Sequence, residues 1–353
     1  MNSKPRHGII AIRKAQERVK CDMGKQKSFS DIEFEGQKRK TKREQFLDKM
    51  ERLIPWARWI KIIEGIYPKG DRGRPPMGAE KMLRMYFLQI WFGLSDEMVE
   101  DSLYDSQCMR RFVGISIYEA VPDATTLLKY RRLLEEHEIT KQMFSELKSD
   151  LMKSGLMMKE GTIVDATIFE APSSTKNEKK ERDPEMHQAK KGNQWHFGMK
   201  GHIGADAESG LVHSIEATPA NVHDIVMAEK LLHGEETVLY GDSAFTGVAK
   251  REEMKENHPG VDCRTARRPG AINRMEEGPE KEQLKAEEHA KASVRAKVEH
   301  PFHIVKVIFK FKKVCYRGIQ KNLARLYILF ASANLIIAER VYPKLQLQGV
   351  VCQ

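Results

Sequence analysis

The spacing of apolar residues divides the chain into two regimes. Between residues 53 and 67, Ile54, Trp56, Ile60, Ile63 and Tyr67 recur at helical spacing, which predicts an amphipathic helix. Residues 79–93 read as a second helix in which Met82, Met85, Tyr86, Leu88, Gln89 and Phe92 mix core and surface. Ser95, followed by Asp96 and Glu97, is an N-cap signature for a third. Residues 106–113 form a short segment with Arg110 and Arg111, and Asp123 caps a helix bearing Lys129, Arg131 and Arg132. After Leu156 the period changes. Residues 161–169 alternate as a strand, and 195–203 with 211–217 read as a hairpin turning at 205–210. Residues 222–232 are predicted helical and 237–240 a strand, and the C-terminal third returns to helix.

The stretches between these elements are polar. Residues 1–50 are rich in Lys and Arg and suit either a flexible basic arm, helical from Lys42, or a solubilising tail. Asp71-Arg72-Gly73-Arg74-Pro75-Pro76 cannot be helix. It suits a plain linker, or an extended segment whose Arg72 and Arg74 enter a DNA minor groove. Residues 171–193 are a Lys-rich connection without a core pattern. Residues 247–285 are charged and broken by Pro259, Gly260, Pro269, Gly270 and Pro279. The expected organisation is a basic arm (1–50), a helical domain (51–150), an α/β domain (157–340) with an irregular insertion (247–285), and a tail (341–353).

Composition narrows the function. At 353 residues and 41% hydrophobic, most of the chain can fold, in two or three domains. A net charge of +10 favours a polyanionic partner, although charge alone does not separate nucleic acid from a membrane surface or from simple solubility. The five cysteines are scattered without C-x-x-C spacing, which suggests neither a zinc site nor a disulfide framework and suits a reducing cytosol. The N-terminus has no apolar signal core, and residues 326–338, interrupted by Ser332 and Asn334, are too short to span a bilayer. They read as a buried helix, and no membrane association is expected.

Three carboxylates stand where fold physics alone does not place charge. Asp165 interrupts the apolar run 162–168, Asp242 ends the run 238–241, and Glu299 borders the apolar helical stretch around Val298 and Phe302. Withdrawing a carboxylate from water costs several kcal/mol unless it is paired or binds a metal. Three that converge make a site for hard divalent cations such as Mg²⁺. At about 100° per residue, Arg295, Glu299 and Lys306 fall within roughly 40° of one another on a helix, beside the apolar arc of Val294, Val298, Phe302, Val305 and Phe309. Pro301 bends or starts that helix. The same pattern also describes an ordinary amphipathic helix with an Arg295–Glu299 pair.

Arg295-x-x-x-Glu299-x-x-x-x-x-x-Lys306 resembles the third-acid signature of insertion-sequence transposases with a DDE triad. The insertion-sequence-five family is resembled more narrowly. The blocks are Phe92-Gly93-Leu94-Ser95-Asp96, Asp183-Pro184-Glu185-Met186-His187, Gly192-Asn193-Gln194-Trp195-His196-Phe197-Gly198-Met199-Lys200, Tyr240-Gly241-Asp242-Ser243-Ala244-Phe245 and Val298-Glu299-His300-Pro301-Phe302. The resemblance runs from about residue 58 to residue 338, most of the chain. The signature's tyrosine, three residues before the arginine, is replaced here by Ala292.

The resemblance implies an α/β fold: a ribonuclease H-like catalytic domain, with a mixed five-stranded sheet and helices, preceded by an all-α, helix-turn-helix-like DNA-binding domain. Asp165, Asp242 and Glu299 match the three acids. They would hold two Mg²⁺ ions, with Mn²⁺ as substitute. The implied partners are double-stranded DNA (the terminal inverted repeats of the element and the target) and a second copy of the chain, in a homodimer or higher synaptic assembly. The setting is the cytoplasm, at the nucleoid. The activity is cleavage at the repeats and joining of the freed 3′-hydroxyls to target DNA. An inactive DNA-binding derivative acting as a repressor, or a nuclease of the same fold without strand transfer, is the alternative. Arg295, Lys306, Lys200, His196, Arg72, Arg74, Arg131 and Arg132 are the expected DNA contacts. For Lys200 and His196, which would share one strand face with His202, a purely structural role is the competing reading. Asn221, His223 and Asp224 suit a helix cap or a metal site, and the basic loop 264–270 suits phosphate or solvent.

Overall fold

The computed structural model describes residues 39–70, 75–178 and 180–341; Arg72 and Arg74 lie outside them. The chain divides into two compact units, 1–46 and 47–353. In the first, Thr41 Oγ1 accepts the Glu44 amide at 3.1 Å at the start of helix α1 (Lys42–Leu53). The rest concerns the second unit.

Its first half is helical: α2 (Trp56–Glu64), α3 (Ala79–Phe92), α4 (Asp96–Asp105), α5 (Gln107–Val113), α6 (Ala124–Glu136) and α7 (Ile139–Lys153). Both predicted caps form. Ser95 Oγ accepts the Met98 amide at 3.1 Å, and Asp123 Oδ1 accepts that of Thr126 at 2.6 Å. Helix α3 differs from its amphipathic reading, because every residue from Met82 to Trp91 is buried. Its polar members are satisfied inside: Arg84 donates to Glu80 and Glu51 at 2.9 Å and to Phe112 O at 3.0 Å.

The second half is a mixed sheet of β1 (Gly161–Glu170), β2 (His187–Lys191), β3 (Gln194–Asp206), β4 (Val212–Pro219), β5 (Val238–Gly241) and β6 (Asp262–Thr265). Strands β4, β3 and β1 are successively antiparallel, and β5 and β6 continue parallel to β1. This is the five-stranded ribonuclease H-like order, and β2 adds a sixth strand, paired with the free end of β3. Two strands escaped the hydrophobic pattern. Strand β2 is exposed along almost its whole length, and β6 is a four-residue edge strand carrying Asp262 and Arg264, so neither shows a core alternation. Gly198 lets β3 lie close to β1, since a Cβ there would sit 2.1 Å from Phe169 O.

The predicted helix at 222–232 is corrected to two tight turns, Asp224–Met227 and Glu229–Leu231. The Lys200 ammonium occupies the Val222 carbonyl at 2.7 Å, and the His223 ring accepts the Ile225 amide, which favours the turn over α-helical pairing. The insertion contains α8 (Glu252–Asn257), β6 and α9 (Pro269–Asn273), followed by α10 (Pro279–Arg295).

The apolar stretch at 326–338 lies inside α12 (Ile319–Val341). By length and composition this helix passes for a membrane span, but 83% of its apolar window is buried within the protein. Ser332 Oγ accepts the Trp91 indole N–H at 3.0 Å, and Asn334 exchanges two hydrogen bonds with the Val212 backbone at 2.7 and 2.8 Å. Helix α12 therefore joins α3 to β4 in one core, and the helical half is packed onto the sheet.

Candidate active site

Strand β1 pairs in parallel with β5 only as far as Val164↔Gly241. The next residue on each strand is an acid, so Asp165 and Asp242 emerge side by side where the two strands part. Asp165 Oδ1 accepts the Ala166 amide, and Asp242 Oδ1 the Ala244 amide, both at 2.8 Å. These bonds orient both carboxylates. The third acid arrives along a broken helix. Helix α10 ends at Arg295, a tight turn spans Ala296–Val298, α11 runs Glu299–His303, and a wide π-helical turn covers Ile304–Ile308. The helix is thus interrupted on both sides of Pro301, whose ring removes a backbone donor, in keeping with the bend or start expected there.

Asp165, Asp242 and Glu299 line one cleft of 610 Å³ together with Arg295, Lys306, Lys200, Asp224, Lys190, Lys191 and His303. Burial pushes the Asp165 carboxyl up to about 6, against an opposing bond from the Ala166 amide. The charges of Asp242 and Glu299 add to the rise and that of Arg295 reduces it. Hard oxygen donors that repel one another and cost energy to ionise together are what a divalent cation relieves, so the residues present fit Mg²⁺ or Mn²⁺.

The cations around the acids are committed in different ways. Lys306 Nζ donates to Thr167 Oγ1 at 2.6 Å and Ile168 O at 2.8 Å, and lies 5.1 Å from the Phe169 ring centre. Its burial, followed by the nearby Lys191 charge, lowers the amine from the usual lysine range. Lys200 is held by Asp224 at 2.9 Å as well as by Val222 O, so Asp224 acts as its counterion and does not cap a helix. His202, on the same strand face, is fully buried against Thr218 Oγ1 at 2.8 Å. His196 Nδ1 lies 3.0 Å from Glu170 Oε1 at the far end of β1, outside the acidic cleft.

Arg131 is corrected. It is 6% exposed, forks onto Asp96 and lies over the Tyr316 ring at 4.4 Å, so its guanidinium faces the core. Arg132, one residue on, is exposed. Three lining residues were not picked out beforehand. Lys190 and Lys191 were hidden in the patternless Lys-rich connection, whereas His303 follows Glu299 at i+4, a spacing that points to the same helix face. Residues 264–268 of the basic loop line a neighbouring cleft of 880 Å³ with Tyr240 and Lys291. That cleft is larger but contains none of the three acids, so the smaller one is the candidate site.

Residues 157–335 match the family model described as Transposase DDE domain, and residues 34–133 match Transposase domain (DUF772). Among solved structures, the chain is similar to "Crystal structure of the Mos1 Strand Transfer Complex", at 11% identity over 72% of this chain and 85% of that one. The TM-score is 0.18, too low to bear on the fold. The DDE model spans just over half of the chain and encloses all three clustered acids, and the protein belongs to the DDE transposases, metal-dependent enzymes that cut and join DNA.

Proposed function

We propose that this transposase binds the terminal inverted repeats of its own insertion sequence, of the insertion-sequence-five type, cleaves there, and joins the 3′-hydroxyls to target DNA. The observation that carries this reading is the convergence of Asp165, Asp242 and Glu299 in one cleft rimmed by Arg295, Lys190 and Lys191. These acids hold two divalent ions, Mg²⁺ or Mn²⁺. When bound, the metal pair activates the attacking oxygen and stabilises the departing one. The chain's own residues do the rest. Arg295 sets positive charge beside Asp165, Lys190 and Lys191 border the path of a DNA phosphate, and Lys306 holds the third-acid helix on β1.

DNA contact extends along Lys200, the basic loop 264–270 and exposed Arg132 on the helical half, with Arg72 and Arg74 on the linker; His196 is a peripheral contact. Because two ends must meet, the working form is a homodimer or larger synaptic assembly, acting at the nucleoid in the cytoplasm. The test is incubation of the purified protein with a labelled element end, target DNA and Mg²⁺. End-specific nicks with joined products support the reading. Nicks without joining indicate a nuclease, and binding without nicks indicates a repressor.

A further inference from the structure

Behind β1, away from the carboxylate cleft, side chains from two other segments close on one point. His213 lies on β4, while His233 and Glu236 lie just before β5. One ligand atom from each is within 4.8 Å of the other two. His233 Nε2 is 3.3 Å from Glu236 Oε1, yet this buried nitrogen has no hydrogen-bond partner, so the two atoms are close without being aimed at each other. Ligands of a tetrahedral zinc ion behave this way: at about 2.0–2.1 Å from the metal they stand roughly 3.3–3.4 Å apart, each directed at the ion.

The surroundings complete the argument. Ser214 Oγ lies 2.9 Å from His213 Nδ1, and a proton on Nδ1 donated to it leaves Nε2 as the ligand atom. Thr162 Oγ1 donates to Glu236 Oε1 at 3.1 Å, which leaves it to accept from His213 Nε2 at 3.0 Å, so an ion here displaces the proton on that nitrogen. The Glu236 side chain is 0% exposed, anchored by the His233 and Gly234 amides at 2.6 and 2.7 Å. Among the described residues it has no Lys or Arg partner, and hydrogen bonds from Thr162 and these two amides meet its charge. Burial holds both imidazoles below the usual histidine range, in the neutral form that binds metal. Two contacts oppose this arrangement: the His213 Nε2–Thr162 bond, and the Glu235 amide, which points at His233 Nδ1 at 3.3 Å, where a metal-bound ring carries its proton.

We propose that His213, His233 and Glu236 form a second metal site, separate from the carboxylate cleft, for one Zn²⁺ or similar borderline ion. Two nitrogens and one oxygen favour such an ion over Mg²⁺. The site clips β4 to the segment entering β5, with Thr162 of β1 at its edge, three residues before Asp165.

The test uses the full chain and does not depend on activity. Metal analysis of protein purified without chelator, and Co²⁺ titration of the stripped protein read by visible absorption, are expected to show about one ion per chain with a tetrahedral spectrum. Asp165→Asn with Glu299→Gln should retain it. His233→Ala should weaken Co²⁺ binding by at least about tenfold, and His233→Cys should keep the ion and add a thiolate–cobalt absorption band. No tetrahedral Co²⁺ uptake by the wild-type protein overturns the proposal whatever the variants do. So does uptake that disappears with the carboxylate changes and survives His233→Ala.

Discussion

Lys306 Nζ and Thr167 Oγ1 are joined at 2.6 Å, which ties the segment following Glu299 to strand β1 at a point two residues beyond Asp165. The ammonium also holds Ile168 O and is partly withdrawn from water. Its placement is that of a tether between the first and third acids. Lys306→Met is expected to lower single-turnover cleavage about tenfold to a hundredfold, because small displacements of a reacting group cost that much. Binding of the element end, measured by gel shift, should change far less. An equal loss of both would show that Lys306 serves mainly as a DNA contact.

On the proposed function, the three acids are expected to act as a unit. Asp165→Asn or Glu299→Gln should each reduce end cleavage by at least about a thousandfold, as for other groups that work together, while DNA binding persists. Cleavage assays at saturating Mg²⁺ and Mn²⁺ would check this, and full activity in either variant would sink the assignment.

Metal-free stability should fall with rising pH because of Asp165. Its carboxyl titrates at about 6 in the folded chain against an ordinary 3.8, so between these values the folded state binds more protons than the unfolded one. Stability attributable to this group is highest below about pH 4, declines through about pH 6 and then levels off, a loss of up to about 3 kcal/mol. Mg²⁺ should therefore stabilise the protein more at about pH 8 than at about pH 5, and Asp165→Asn should flatten the pH profile of the metal-free protein. Denaturant titrations at both pH values, with and without Mg²⁺, would measure it. A pH-independent metal-free stability in this range would contradict the account.

Arg131 and its neighbour Arg132 should separate by phenotype. Arg131→Ala removes the charged partner of Asp96, which keeps only the Gln89 amide, and the donor to Gln89 Oε1, and is expected to cost about 3 kcal/mol, read as a lowered Cm. Arg132→Ala, at an exposed position, should leave stability within about 0.5 kcal/mol and weaken DNA binding in a salt-dependent manner.

The features legible in the sequence are those set by near neighbours. Ser95 and Asp123 cap their helices because a cap reaches only three residues ahead. The apolar run at 161–169 became β1, but Thr162, Ile163 and Val164 are all buried, because this central strand is covered on both faces there, so burial does not keep the period of two. Asp165 and Asp242 stood out because each breaks or ends an apolar run. Glu299, exposed on its short helix, owed its standing to the third-acid signature, since helix spacing alone suits an ordinary ion pair.

Folding settled what depends on distant partners. The exposed edge strand β2 and the charged β6 bury too little to show a period, and they exist because β3 and β5 offer open edges for pairing. Arg131 and Arg132 are indistinguishable along the chain; one faces Asp96 and the other solvent only because α6 lies where it does against α4. His213 and His233 lie twenty residues apart, and no spacing rule links them with Thr162 of β1. The connection from β4 to β5 brings them together, because it crosses β3 at Gly204, where a Cβ would sit 2.5 Å from Leu231 O and 2.9 Å from the His213 ring. Local chemistry therefore named the acids, and the tertiary contacts decided which cations serve the site and which serve the core.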